Sequence, residues 1–315
     1  MFLISWRLSS CQLSNSIKPH VLVTRSLLSS VKLAKVKPEL ELLYTQYNRV
    51  ESTIDPVHLV RRYEDPVDRE IAGFCTAALA FGRLASIITS IKALLKVMGS
   101  SPAVFVRRFD RTKHGNLIRP LSHRWTRGED LIDLLCILRR MQETAGSIEK
   151  FFLRGYDDKA GDVGPALDSF CTRALDGVDQ NKTPGVKYFF PKPAHGSACK
   201  RLNLYLRWMV RCDKIDFGIW KQVETAKLVI PLDIHVFRVG QCLRLTRYRS
   251  AGWAMVREIT ETLRKLDPDD PVKYDFSLCH LGMQKLCCFN QPQVKSLCPL
   301  QGLCQPGVRK IYRSR

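Results

Sequence analysis

The chain has 315 residues, of which 45% are hydrophobic and 9% aromatic, which is enough apolar surface to build a folded core and excludes a largely disordered protein. Its formal charge is +20, because 50 lysines and arginines face 30 acidic residues. Such an excess of positive charge favours a polyanionic partner, with nucleic acid as the first candidate and an anionic membrane surface or a merely basic enzyme as alternatives.

Residues 1–38 differ in composition from the rest of the chain. They contain six basic residues, eight serines and no acidic residue. This composition is typical of a mitochondrial transit peptide, and a disordered basic arm or a misassigned start is the alternative. We therefore predict that residues 1–38 lie outside the fold. We expect a cytoplasmic, nucleoid-associated protein, or a mitochondrial one if the segment is a transit peptide.

From residue 39 to residue 283 the apolar positions recur at helical spacing, and alternating patterns of useful length are nearly absent. Asp65 before Pro66 predicts a helix start, because Asp caps a helix and Pro fits its first turn. Further helices are predicted over residues 84–97, 102–109, 130–142, 147–153, 197–212, 234–243, 251–265 and 272–283, and one short strand could lie within 220–230. The apolar stretch 79–98 is interrupted by basic residues, so we expect no membrane-spanning helix.

The segment from Ile230 to Val239 contains the first candidate for chemistry. Pro231 imposes an extended approach, and Asp233 stands where a helix begins. An Asp in this position is an ordinary helix cap, worth about 1 kcal/mol. A carboxylate fixed by backbone N–H groups also stays ionised, which suits the stabilisation of a developing cation or the activation of a nucleophile. Asp233 is therefore either a cap or a catalytic acid.

Residues 197–211 provide the second candidate. Their spacing places Lys200, Arg207 and Arg211 together on one side of a predicted helix, away from its apolar stripe. This side is either a solvated basic surface or a phosphate-binding face with Lys200 as an amine nucleophile.

These two segments resemble the helix-hairpin-helix/GPD superfamily of DNA glycosylases. The string from Pro231 to Arg238 is similar to the superfamily signature, in which the catalytic aspartate is followed two residues later by His, and Asp233 falls on that aspartate. Over about residues 66–305 the chain more closely resembles a bacterial family of unknown function that is distantly related to this superfamily; the matching strings lie at 197–203, 207–211, 216–220, 231–233 and 269–276. The resemblance implies an all-α, two-lobe helical bundle of the glycosylase type over 39–283, followed by a basic, cysteine-containing tail over 284–315.

The superfamily's catalytic lysine normally lies in a glycine-rich hairpin shortly before the aspartate. In this chain residues 216–221 occupy that position and contain a single glycine, so the hairpin is degenerate. Archaeal 8-oxoguanine glycosylases instead carry the lysine on a helix further upstream, where this chain has Lys200. The resemblance therefore makes Lys200 the first candidate for the nucleophile, with Lys221 and Lys214 as alternatives.

The activity implied by this resemblance is base excision from DNA by an N-glycosylase with lysine-dependent lyase activity, directed at an oxidised purine. Lys200 would attack the sugar of an extruded nucleotide, and Asp233 would take the ammonium proton. The side chains expected to hold nucleic acid are Arg201, Arg207, Arg211, Arg238, Trp208 and Trp220, with core burial as the alternative for both tryptophans. A non-catalytic nucleic-acid-binding protein and an RNA-processing role remain the alternatives, and we expect a monomer.

The chain has twelve cysteines, which fit a reducing compartment. Eight of them, Cys279 included, are scattered along the chain and are interpreted as small core hydrophobes. The ligand spacing of iron–sulfur glycosylases of the endonuclease III type falls on Cys288, Lys295, Cys298 and Cys304, so one ligand is replaced. Three readings stay open: a [4Fe–4S] cluster, a zinc site completed by His280, and no metal.

Overall fold

The computed structural model describes residues 26–50, 55–179, 184–284, 286 and 298–304. Within these residues the chain forms thirteen α-helices and three short 3₁₀ helices, and it forms no β-strand, in agreement with the predicted all-α class. The first seven helices are α1 (Ser30–Tyr47), α2 (Val57–Arg61), α3 (Pro66–Ala78), α4 (Leu84–Met98), α5 (Pro102–Arg107), α6 (Arg111–Ile118) and α7 (Gly128–Ala145). The other six are α8 (Ile148–Leu153), α9 (Gly164–Leu175), α10 (Lys200–Val210), α11 (Ile234–Cys242), α12 (Trp253–Arg264) and α13 (Asp275–Met283).

Helix starts follow the capping residues of the sequence. The Asp65 side chain accepts a hydrogen bond from the Val67 N–H at the start of α3, as predicted. The helices α6 and α9 were not predicted. The α6 segment is short and polar, whereas α9 has a helical apolar period, with Leu167, Phe170 and Ala174 buried, that the sequence analysis did not use. The predicted strand within 220–230 is wrong: this region contains a 3₁₀ turn, Thr225–Lys227.

The predicted boundary at residue 38 falls inside α1. This helix begins at Ser30 and buries Leu33, Val36 and Leu40, and it packs against α13. Residues 30–38 therefore belong to the fold. Their buried apolar residues recur at helical spacing, while their basic residues are exposed. Cys298 and Leu300 of the predicted tail are also part of the apolar core, whereas residues 1–25, 287–297 and 305–315 lie outside the described residues.

The apolar stretch 79–98 contributes to the core through α4. Its lysines Lys92 and Lys96 are exposed, while residues such as Ile91 and Leu95 are buried. Of the helices that the structure describes, none is both long and apolar enough to cross a bilayer.

Two helix pairs set the positions of α10, α11 and α13. The helix α3 packs against α10, and α11 packs against α13. Gly282 allows this second approach, because a Cβ atom there would lie 2.6 Å from the Cβ of His235. As a result, the first residues of α10 and α11 and one side of α13 face a common space.

Candidate functional site

This common space is a cavity of about 460 Å³. Its walls are the starts of α10 and α11, one side of α13, the segment between α3 and α4, and the residues before α2. The charged or titratable side chains that line it are Asp55, Lys200, Arg207, Asp233, His235, Asp275 and Cys279. Pockets for small ligands typically measure about 300–1,000 Å³, so the space suits a nucleotide-sized ligand.

Lys200 is the first residue of α10 and lines this cavity. Its Nζ atom donates to the Ala80 carbonyl at 3.3 Å, which directs the amine towards the end of α3. Leu204, Arg207 and Trp208 line the same cavity from the following two turns of α10. One side of this helix therefore forms a wall of the cavity, with the amine at its N-terminal end.

Asp233 caps a helix, as predicted, and it also lines the cavity. Its Oδ1 atom caps α11 by accepting from the N–H groups of His235 and Val236 at 2.8 and 2.7 Å. Its Oδ2 atom accepts from the Cys279 thiol at 3.1 Å, and the residue lines the cavity. The structure thus places the two predicted catalytic residues, Lys200 and Asp233, at one cavity.

Cys279 is a site residue that the sequence analysis assigned to the core. Burial raises the pKa of its thiol well above the usual value, and the negative charges of Asp233 and Asp275 raise it further, against the effect of Lys200. The thiol therefore stays protonated and acts as a donor to Asp233. The signal available in the sequence was the four-residue spacing of Asp275 and Cys279 on one predicted helix, next to the matching string 269–276.

Asp275 is buried in the wall of the cavity, where its Oδ2 atom accepts a hydrogen bond from Nη1 of Arg207. Burial raises the pKa of Asp275 to about 7; Arg207 opposes this rise and the charge of Asp233 adds to it. The Asp275 carboxyl therefore gains or loses a proton near neutral pH, and the charge of the cavity depends on pH.

Arg207 and Arg211 have a different role from the predicted phosphate contact. Both guanidinium groups are buried. Arg207 pairs with Asp216 and Asp275, and Arg211 pairs with Asp213, Asp216 and Asp270. Carboxylates of the protein therefore occupy the donors of both guanidinium groups; Arg207 also lines the cavity, and Arg211 does not.

The two predicted stacking tryptophans are core residues. Trp208 is 1% exposed, and among the described residues its Nε1 atom has no hydrogen-bond partner. The Nε1 atom of Trp220 donates to Glu70 at 2.9 Å, and this tryptophan packs against Phe152 and Tyr205. Burial, which was the alternative for both residues, is what the structure shows.

The other two predicted arginines lie nearer the surface. Arg201 donates to the carbonyls of Ala78 and Tyr188, and burial of its guanidinium lowers its pKa to about 10. Arg238 is exposed. It follows Ile234 by one turn of α11, and Ile234 both lines the cavity and is 54% exposed. Arg238 is therefore near the cavity without lining it, and its contact with nucleic acid stays a prediction.

The predicted metal ligands do not converge within the described part of the chain. His280 is buried, its Nδ1 atom lies 2.8 Å from the Phe276 carbonyl, and its ring packs against Phe276 and Tyr47. No group of three metal-binding side chains occurs among the residues that the structure describes, which include Cys298 and Cys304. Cys288 lies outside these residues.

Residues 55–284 match a family that is described as a protein of unknown function, DUF2400. The chain belongs to this family. The matched region contains every residue that lines the cavity, together with the helices from α2 to α13. The match agrees with the resemblance to a family of unknown function, and it names no activity. No curated protein and no solved structure matches the chain.

Proposed function

We propose that the cavity is the reaction centre of a DNA N-glycosylase with lysine-dependent lyase activity. The observation that carries this proposal is the placement of Lys200 and Asp233, from the starts of two different helices, in the wall of one cavity. An amine nucleophile beside a fixed carboxylate is the pair that this reaction requires. The net charge of +20 supports DNA as the substrate class.

The first step forms a bond between Lys200 Nζ and C1′ of an extruded nucleotide, and the glycosidic bond breaks with its electron pair leaving on the base. The amine nitrogen becomes positively charged as it bonds to C1′, and the proton that it then loses passes through Asp233 to the departing base. Asp233 accepts the proton of the ammonium at Oδ2. The Cys279 thiol donates a hydrogen bond to this atom before the reaction, and that bond breaks when the proton arrives. The second proton of the nitrogen moves to the ring oxygen as the C1′–O4′ bond breaks, which leaves an imine. The Asp233 carboxylate, free again, then takes a C2′ proton, and the C3′–O bond breaks with its electron pair leaving on the 3′ phosphate.

The other residues of the cavity fit the charge that develops in this reaction. The sugar acquires oxocarbenium character, and carboxylates close to it stabilise that positive charge. Asp55 and Asp275 line the cavity together with Asp233. Leu84, Ile87 and Leu232 provide an apolar wall, which suits the flat faces of a base.

Borohydride trapping tests the proposal. The full chain is incubated with duplexes that each contain one altered base, 8-oxoguanine first, because the resembled archaeal branch acts on it. Borohydride reduces an enzyme–DNA imine to a stable covalent adduct. We expect an adduct with the unaltered protein, none with Lys200→Gln, and an undiminished adduct with Lys221→Gln. Lys221 is the matched control, because it is an exposed lysine that does not line the cavity.

A second variant tests the carboxylate. Asp233→Asn keeps a good helix cap and removes the proton acceptor, so we expect base release to slow by a factor of about 100 or more. Base release that depends on Asp233 without any adduct would support a glycosylase and remove the lyase step. The proposal fails if no duplex loses a base, or if the adduct persists in Lys200→Gln.

A further inference from the structure

Three aromatic side chains from separate segments form one surface at the edge of the cavity. Phe81, which lines the cavity, stacks on Trp125 with ring centroids 4.7 Å apart and planes inclined by 29°. Trp125 in turn contacts Tyr188, at a centroid distance of 6.0 Å. Trp125 and Tyr188 are 50% and 53% exposed, which is unusual for such large rings. We refer to Phe81, Trp125 and Tyr188 as the aromatic platform.

The backbone around the platform is held in one conformation. His123 and Thr126 exchange two backbone hydrogen bonds of 2.9 Å, so Trp125 sits in a closed turn. The Nε2 atom of His123 also lies 2.7 Å from the Phe81 carbonyl, which ties this turn to the segment after α3. Gly82 has a φ of +107°, and a Cβ atom there would lie only 3.0 Å from the Cδ of Arg124. The backbone that carries the exposed indole is therefore held in place by contacts within the protein.

Two arginines accompany the aromatic rings. The guanidinium carbon of Arg124 lies 4.9 Å from the centroid of the Trp125 ring, and that of Arg201 lies 5.1 Å from the centroid of Phe81. Arg124 is exposed, as is Arg83 in the neighbouring segment. An exposed apolar surface of this kind marks an interaction site, and arginines beside it add attraction for anions.

We propose that the aromatic platform stacks an unpaired nucleobase of the strand whose neighbouring nucleotide occupies the cavity, with Arg124 contacting the phosphate of that base. Sequence-tolerant binding of single strands uses this combination of flat aromatic rings and basic side chains. An acidic peptide would satisfy the arginines and leave the aromatic rings unused. The proposal rests on the proposed function for the identity of the neighbouring nucleotide, because both nucleotides belong to one strand.

The test measures binding without any base excision. A labelled single-stranded oligothymidine that contains no altered base is titrated with the full chain, and binding is followed by fluorescence anisotropy at several salt concentrations. We expect Trp125→Ala to raise the Kd by about tenfold or more, because loss of one stacked base has an effect of that size. Trp125→Phe retains a flat ring and should restore most of the affinity. Leu117→Ala is the matched control, because Leu117 is 54% exposed on α6 and lies outside the platform.

A charge variant separates stacking from phosphate contact. Arg124→Gln should weaken binding and should lower the slope of log Kd against log salt by about one unit. Should Trp125→Ala be too unstable to assay, Tyr188→Ala provides the same comparison from another segment. The platform is excluded if these aromatic variants bind the oligonucleotide as tightly as the unaltered protein.

The outcomes distinguish this inference from the proposed function. Binding that depends on Trp125 in a protein that releases no base would support the platform and contradict the glycosylase. Base release by a protein whose single-strand binding ignores Trp125 and Tyr188 would support the glycosylase and overturn the platform.

Discussion

The two ends of α10 use basic residues in opposite ways. At the N-terminal end, Lys200 reaches an open cavity that it shares with Asp233. Two turns further on, Arg207 and Arg211 are enclosed by four aspartates and are nearly inaccessible to solvent. The helical spacing of the sequence places these three residues on one side of α10. Their environments differ because other segments bring aspartates to the two arginines and a cavity to Lys200.

The chemistry of the side chains fits this division. A guanidinium group is planar, carries five N–H donors and stays charged, so it can satisfy several carboxylates inside a protein. An amine can lose its proton and act as a nucleophile, which a guanidinium cannot do under ordinary conditions. The α10 helix therefore carries both the buried ion pairs of Arg207 and Arg211 and, at its start, the amine of Lys200.

The largest expected difference between the two ends concerns stability. Arg207→Met should lower the free energy of unfolding by about 3–5 kcal/mol, because Asp216 and Asp275 would remain buried without this partner. Urea denaturation followed by circular dichroism measures the change. A loss below about 1 kcal/mol would mean that the network does not support the fold.

A smaller effect depends on pH. Asp275 has an ordinary pKa of 3.8 when unfolded and a pKa of about 7 in the fold, so the folded state binds its proton more tightly. The resulting stabilisation is present in full below about pH 4 and disappears as pH rises through about 7. The stability of the unaltered protein should fall relative to Asp275→Asn by about 2–3 kcal/mol from pH 5 to pH 8.

Denaturation curves of the two proteins at matched pH values check this expectation. Asp275→Asn keeps Arg207 paired with Asp216, so it isolates the titration of one carboxyl. Parallel stability profiles for the two proteins would contradict the assigned pKa.

The helix cap at the other side of the cavity has a more modest effect. Asp233→Ala should destabilise the protein by about 1 kcal/mol, because the N–H groups of His235 and Val236 lose their acceptor. Asp233→Asn should stay within about 0.5 kcal/mol of the unaltered protein, since Asn caps equally well. If the two substitutions are equally costly, the negative charge rather than the cap stabilises this helix start.

The smallest effect is expected at Lys200. Its amine makes one long hydrogen bond to Ala80, at 3.3 Å, so Lys200→Met should change the free energy of unfolding by less than about 0.5 kcal/mol. Measured beside Arg207→Met, this variant shows whether the two ends of α10 differ as the structure indicates. A loss comparable to that of Arg207→Met would remove the distinction between them.

Sequence patterns over a few neighbouring residues correctly predicted helix caps and the face of one helix. The caps at Asp65 and Asp233 and the side of α10 that bears Lys200 follow from a few adjacent positions. The predicted pairing of Lys200 with Asp233 came from the resemblance; both residues line one cavity, and their joint catalytic role stays a prediction.

The features that sequence patterns did not predict depend on contacts between residues that are far apart in the chain. The burial of Arg211 depends on Asp270, which is remote in the chain, and the donor role of Cys279 depends on the approach of α13 to α11. The stacking of Phe81 on Trp125 likewise joins separate segments. Neither periodicity nor composition carries information about such distant pairs.

The position of α1 has a practical consequence for shortening this protein. Lys37 Nζ donates to the Leu266 carbonyl at 2.7 Å, and Tyr47 donates to Gln284 at 2.7 Å, just beyond α13. A shortened chain that started at residue 39 would keep the hydrogen bond from Tyr47 to Gln284. It would lose the hydrogen bond from Lys37 to Leu266, together with the buried Leu33 and Val36. Because α13 carries Asp275 and Cys279, trimming the basic N terminus at that point would loosen the outer support of the cavity wall itself.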